Sequence, residues 1–440
     1  MKKNLRGSIG MAVAVLGLSA SAVAPALAAK APTYTIDSIM ANDLTIKAAN
    51  APSADITIGG SSFVSNLLTP ALAHFKTINT QNSVAAYDGA AGSTTGRKKV
   101  TGNTTPTFNV GVSDFPLADS ANESFTYTLG SGLASNFAQL PVALGGVAIS
   151  YNVAGLETSA MQKLLAKNPL TLDGLTLGKI FAQRITKWND ASICAQNSSL
   201  VKSVTVGKKK VSVCALPDET IHVVSRTAGS GTTYMFKDYL SKVDATDFAS
   251  ADSAVFAANT VTGGIAIPTV ANSAAMATQI DALDNSIGYV EYGFAAVTPG
   301  INVVAIRNAS GAAVLPNATS VAAAAAAKTG FAMDTLAHRS LNNLTGKTVY
   351  PITGYSYAIL LKTQSNKNNG ITAVKVLDYL THQGGAGTAG KPFSKLGTFG
   401  QDYAAVTGYV ALPKSVQDLA RTILLSVKDS DGNVLLNTSN

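Results

Sequence analysis

Two apolar runs limit the fold more than any other feature of this chain. Residues 140–152 and 350–361 are long and hydrophobic, yet proline and glycine interrupt both: Pro141, Gly145 and Gly146 in the first, Pro351 and Gly354 in the second. Such runs disfavour a helix, because glycine loses more backbone entropy than other residues and proline removes a hydrogen-bond donor. Both are also too short and too broken for the roughly 20 continuous apolar residues of a membrane span. They predict a strand, a kink and a further strand. One early and one late, they suit paired extended crossovers between two lobes, so that residues 55–142 and 351–440 make one lobe and residues 143–350 the other.

A second pattern recurs around the crossovers: a short strand, a turn of glycine, serine and threonine, then a helix. Ile56 and Ile58 lead through Gly59, Gly60, Ser61 and Ser62 to Phe63. Leu67, Leu68, Leu72 and Phe75 follow at helical spacing, with Thr69 and Pro70 suited to a cap and first-turn position. Residues 84–87 predict a strand before a turn over 89–97 that holds Ser93, Thr94 and Thr95. Residues 108–112 alternate into Ser113 and Asp114, and an aspartate there most often caps a turn or helix.

The third unit is the most suggestive. Ile221, Val223 and Val224 lead to Arg226, the chain turns on Gly229 and Gly231, and Met235, Phe236, Tyr239 and Leu240 continue as a helix. Free backbone N–H groups at a helix N-terminus beside a fixed positive charge outline an anion cradle. Ser230, Thr232 and Thr233 add hydroxyl donors. An ordinary strand-turn-helix corner with a capping serine is the alternative reading of this stretch taken alone.

At 440 residues with 46% hydrophobic and 13% charged side chains, the chain has the length and composition for two cores and not for disorder. Lys2, Lys3 and Arg6, an apolar stretch over 11–22, and Ala26, Leu27 and Ala28 predict a signal peptide over residues 1–28. Residues 29–54 read as a poorly ordered leader, with structure starting at Asp55. Removing a signal with three basic and no acidic residues lowers the formal charge from +8 to +5. The remaining basic residues are scattered or in short groups, such as Lys208, Lys209 and Lys210, which argues against nucleic-acid binding. Cys194 and Cys214 are the two cysteines, and in an exported chain they predict one disulfide, stapling a hairpin over 201–216. A metal site of both with His222 lacks a fourth ligand by spacing. Neither cysteine lies at the cleavage site, so no lipid anchor is expected and the mature chain should be soluble. Trp188 reads as a core residue, and 321–327 as an alanine-rich helix.

From Ile56 to the C-terminus the chain resembles the periplasmic phosphate-binding proteins of high-affinity phosphate ABC transporters. The resemblance rests on segments in family order: Gly-Ser-Ser-Phe at 60–63, Gly-Ser at 92–93, Ser-Asp-Phe-Pro-Leu at 113–117, and Leu-Gly-Gly-Val-Ala at 144–148. Thr-Leu-Gly-Lys-Ile-Phe at 176–181, Trp-Asn-Asp at 188–190, residues 226–232 and Gly-Tyr-Val-Glu-Tyr at 288–292 continue it. It implies a type II periplasmic binding protein fold: two α/β lobes, each a mixed sheet flanked by helices, joined by two extended crossovers and closing over one phosphate. The contacts it implies fall on Ser62, the Phe63 N–H, Ser93, Asp114, Arg226, Ser230, the Gly231 N–H and Thr232. It further implies delivery of phosphate to a membrane-embedded permease by a monomer, with no cofactor, no metal and no catalytic residue.

Two departures stand out. Where the family often has an acid just before Gly-Ser-Gly-Thr, this chain has Ala228. The first glycine turn is longer, with Thr95 where a glycine is common, which leaves Ser93, Thr94 and Thr95 as alternatives for one contact. Two other functions stay open at this point: a secreted phosphatase-like hydrolase on the same scaffold, and a surface or adhesion protein with a weakened anion site. Against the hydrolase, His74, His222, His338 and His382 lie in unrelated contexts, and Ala228 breaks a Gly-x-Ser-x-Gly elbow around Ser230.

Overall fold

The computed structural model describes residues 46–436, apart from 80, 82–83, 103–104, 106, 118–135, 228, 249–264, 329–339 and 383–398. The signal peptide read from the sequence, most of the leader, Ala228 and His338 lie outside the described residues. Ordered packing begins before Asp55: Ile46 is buried, Ala48–Asn50 forms a 3₁₀ turn, and the Ala51 carbonyl accepts from Asn368 Nδ2 at 3.1 Å.

The chain opens with β1 (Ile58–Gly60), α1 (Ser65–Ile78), α2 (Ser93–Val100) and β2 (Val110–Ser113). β1 and β2 pair in parallel, Ile58 opposite Val110. Pro70 was expected near the start of α1, but it lies inside the helix. Proline there forgoes one backbone bond, and the burial of Leu67, Leu68, Ala71, Leu72 and Phe75 along one face offsets that loss. The turn expected over 89–97 becomes helical at Ser93, and Arg97, Lys98 and Lys99 form the last turn of α2, where cations complement the helix dipole. Arg97 is fully buried, with its guanidinium 3.8 Å from the centre of the Phe115 ring.

The central part comprises β3 (Phe137–Asn152), α3 (Gly174–Phe181), β4 (Val201–Val206), β5 (Lys209–Cys214), β6 (His222–Val223), β7 (Ser225–Arg226), α4 (Gly231–Val243), β8 (Thr269–Val270), α5 (Ser273–Ala282) and β9 (Ser286–Glu291). β4 and β5 form the hairpin expected from the sequence, and Cys194 and Cys214 are bonded at its base. Trp188 is fully buried, its Nε1 donating to the Asn285 carbonyl at 3.0 Å. The chain ends with β10 (Thr353–Leu361), α6 (Lys367–Thr381) and α7 (Lys414–Leu424).

A seven-stranded mixed sheet runs in the order β1-β2-β10-β3-β9-β6, with Asn302–Val303 also paired to β3. β3 is its spine. Residues 137–146 of β3 pair antiparallel with β10, and residues 147–152 pair antiparallel with β9. The two apolar runs thus lie side by side and carry one sheet across both halves of the molecule. The kink expected in the first run is a bulge: the register shifts between Ser356 and Tyr357, which leaves Val142 out of the ladder beside the donor-less Pro141. Among the described residues, no helix is long and apolar enough to cross a membrane.

Candidate ligand-binding site

Asp114 sits where β2 ends, 2% exposed. Ser61 Oγ donates to its Oδ2 at 2.6 Å and Ser93 Oγ donates to the same oxygen at 3.2 Å. Ser356 on β10 donates to Oδ1. The Asp114 N–H in turn donates to Ser93 Oγ at 3.3 Å. Burial pushes the Asp114 carboxyl above its ordinary value, while the three hydroxyl donors and the Arg226 charge draw it back. Ser61 also fixes the turn into α1, since its Oγ accepts from the Phe63 N–H at 3.0 Å.

Arg226 approaches from the other side. The short parallel pair of β7 with β8 holds its backbone, and its N–H donates to the Tyr289 hydroxyl at 3.1 Å. Nη1 donates to Ser273 Oγ at 3.2 Å, while Nη2 donates to Ser62 Oγ at 3.2 Å and to the Ala271 carbonyl at 3.1 Å. Ser62 and Ser273 also meet directly, Oγ to Oγ, at 3.0 Å. Burial lowers the Arg226 pKa, opposed first by Glu291 and further by Tyr289 and Asp114.

Next to Arg226, Ser230 caps α4: its Oγ accepts from the Thr233 N–H at 3.2 Å, which leaves the Gly231 and Thr232 N–H groups at the free end of the helix. Thr232 is buried, and Thr233 Oγ1 pairs with the Tyr289 hydroxyl at 2.7 Å. A Cβ at Gly231 would collide with Asp114 Oδ2 and Ser93 Oγ, so the α4 N-terminus and the Asp114 cluster are in close contact. The two glycine turns also face each other. Gly92 and Gly229 both take left-handed φ, +79° and +92°, and the Thr94 N–H donates to the Gly229 carbonyl at 3.2 Å.

The structure therefore brings Ser62, Phe63, Ser93, Asp114, Arg226, Ser230, Gly231 and Thr232 into one buried cluster where the three strand-turn-helix units meet. Sequence reading did not single out Ser61, Ser273, Ser356 or Glu291 as members. Glu291 had a local signal, an acid ending the apolar strand Ile287-Gly288-Tyr289-Val290. Ser61 neighbours an expected contact, whereas Ser273 and Ser356 reach the site only through tertiary pairing. Among the described residues, no group of three or more histidine, cysteine, aspartate or glutamate side chains could hold a metal ion.

A family model described as a PBP superfamily domain matches residues 45–383. The phosphate-binding protein PstS of Xylella fastidiosa is 31% identical over 252 residues, 57% of this chain and 59% of that protein, so the match spans less than two thirds of the relative's length. The protein of the same name from Haemophilus influenzae is 27% identical over 283 residues, 63% of this chain and 70% of that protein. Among solved structures, a high-affinity periplasmic phosphate-binding protein bound with phosphate superposes with a TM-score of 0.59 at 18% identity, over 84% of this chain and 93% of that one. A phosphate-binding protein from Stenotrophomonas maltophilia gives 0.56 at 19% identity, over 84% and 94%. These superpositions carry the fold: a mixed α/β architecture of the type II periplasmic binding protein kind.

Proposed function

The chain belongs to the PBP superfamily, and from that membership we propose that it is a non-catalytic solute-binding protein that captures inorganic phosphate and passes it to an ABC transporter permease. The observation that carries this reading is the pairing of one buried carboxylate, Asp114, with Arg226 and the α4 N-terminus. Phosphate near neutral pH keeps at least one proton, so its site needs many donors and one acceptor. Asp114 is that acceptor. Arg226, Ser62 and the Gly231 and Thr232 N–H groups are the donors, while Ser93 holds the acceptor in place through its hydroxyl bond to Asp114. Sulfate has no proton for Asp114 and would set two unprotonated oxygens against each other, a mismatch of a kind that can discriminate by about 10⁴ to 10⁵. Charge-assisted bonds of about 1.5–3 kcal/mol each suffice for the roughly 8 kcal/mol of a micromolar complex after association costs.

The lobes of this protein are residues 55–142 with 351–440, and residues 143–350, and they open and close about β3 and β10. The contacts from Ser62 to Arg226 and from Thr94 to Gly229 are then contacts of the closed form. The reading includes export by the segment 1–28, a soluble periplasmic or secreted monomer, and no lipid anchor. Catalysis is not part of it: His74 on α1 pairs with Tyr379, and His382 at the end of α6 pairs with the Asp378 carbonyl.

Calorimetry with phosphate, arsenate and sulfate, alongside turnover of a chromogenic phosphate ester, tests this. Micromolar or tighter phosphate binding without turnover is expected. Hydrolysis of the ester would favour the secreted phosphatase, and silence in both assays would favour a surface protein with a weakened site.

A further inference from the structure

Glu291 ends β9 at 1% exposure, and both of its carboxylate oxygens are buried without a hydrogen-bond partner. The backbone N–H of Glu291 and the Ser273 hydroxyl are near enough to favour the charged form, yet both lie outside standard hydrogen-bond geometry. Arg226 Nε is buried without a partner as well. The groups whose charge Glu291 feels, or which feel its own, are Arg226 on β7, Asp114 after β2, and Tyr409 from the C-terminal segment. Burial raises the Tyr409 phenol well above its ordinary value, which keeps it neutral.

One guanidinium therefore faces two buried carboxyls. With both ionised, the cluster would be negative before any anion arrived, and uncompensated buried charge costs several kcal/mol. A proton on one carboxyl removes the excess. Asp114 has three hydroxyl donors to hold its charged form, and Glu291 has none within bonding geometry, so the proton belongs on Glu291. Burial, helped by the Asp114 charge, pushes the Glu291 carboxyl well above its ordinary range, against the pull of its own backbone N–H, Ser273 and Arg226.

We infer that Glu291 is the proton-carrying residue of the anion site: as the cleft closes over phosphate, the Glu291 carboxylate takes up a proton from solvent and leaves the Arg226 charge to the ligand. This rests on the phosphate reading above. In an open cleft water reaches the carboxyl, and its pKa falls back towards an ordinary value of about 4.3. The closed form binds more protons than the open one. The Glu291 contribution to affinity is then fully present below the open-form pKa and declines as pH rises towards the closed-form value.

Titration with inorganic phosphate in two buffers of different ionisation enthalpy counts the protons. Across a pH series above the open-form value, the wild type should take up more protons per phosphate than Glu291→Gln, with a flatter affinity profile in the variant. The ligand's own titration is common to both and cancels in the difference. Equal proton counts overturn the role of Glu291 and leave phosphate binding intact; a wild type that binds no phosphate overturns both readings. Should Glu291→Gln not fold, the wild-type count decides alone: zero uptake at every pH of the series contradicts the proposal.

Discussion

Asp114 is 2% exposed and Arg226 4%, but their hydrogen bonds are distributed differently. Three hydroxyls from three separate segments, Ser61, Ser93 and Ser356, converge on the two Asp114 oxygens. The carboxylate is therefore preorganised, and its orientation survives the loss of any one donor. Arg226 donates instead to single serine hydroxyls and a carbonyl, its Nε has no partner, and the acid whose charge acts on it most, Glu291, has no hydrogen-bond partner on its carboxylate either. The acceptor half of the cleft is complete in itself. The cationic half is not, and a ligand anion has most to gain there. This is why electrostatic stabilisation of the ligand is assigned to Arg226 and discrimination among anions to Asp114.

Removing the cation should have the largest effect. Arg226→Ala is expected to weaken phosphate binding by about 10² or more, the worth of a charge-assisted contact or two, as read by calorimetry. A smaller loss would show that the α4 N-terminus carries the anion by itself. Gly231→Ala places a methyl group against Asp114 and Ser93, and overpacking of about 1–3 kcal/mol should weaken binding about tenfold to hundredfold by holding the halves apart. Scattering of the variant with saturating phosphate should show a larger radius of gyration than the wild type.

Asp114→Asn should cost less, about tenfold, and should relax the rejection of sulfate. If sulfate stays excluded in that variant, the acceptor role of Asp114 is wrong. Ser356→Ala should have little effect near neutral pH but should alter the acid limb. Asp114 must be ionised to accept the ligand's proton, so binding fails as pH falls through its pKa, which lies above the ordinary value because of burial. Losing one donor raises that pKa further and moves the failure to higher pH, as affinity measured across a pH series will show.

The smallest expected effect on affinity comes from Cys194→Ser. The cysteines are 20 residues apart at the base of an exposed hairpin, and none of the site hydrogen bonds described above involves it. Opening a loop of that size should lower unfolding free energy by about 3 kcal/mol and leave phosphate affinity unchanged.

Much of this was legible in the residues. Alternation and glycine spacing marked the strand-turn-helix units, and the resemblance placed Ser62, Ser93, Asp114 and Arg226 in one site. The same reading missed where α1 begins, because Pro70 suggested a first turn while the apolar face of the helix extends back past it. It also treated Asp114, on local grounds, as an ordinary cap.

What the sequence determines by itself is local: turn chemistry at Gly92 and Gly229, a serine cap before α4, apolar periods along helices and strands, and a lone cysteine pair. These follow from backbone sterics and side-chain spacing over a few residues, which any window of the chain displays. What only the tertiary structure decided is who completes each charge. Ser356 reaches Asp114 across 242 residues because β10 lies between β2 and β3, and Ser273 reaches Ser62 across 211 because α5 follows the strand beside Arg226. Glu291 is buried beside the cation because β9 pairs with the far half of β3. Such long-range pairings are selected by the burial of whole sheet faces, and no local pattern in the chain records them.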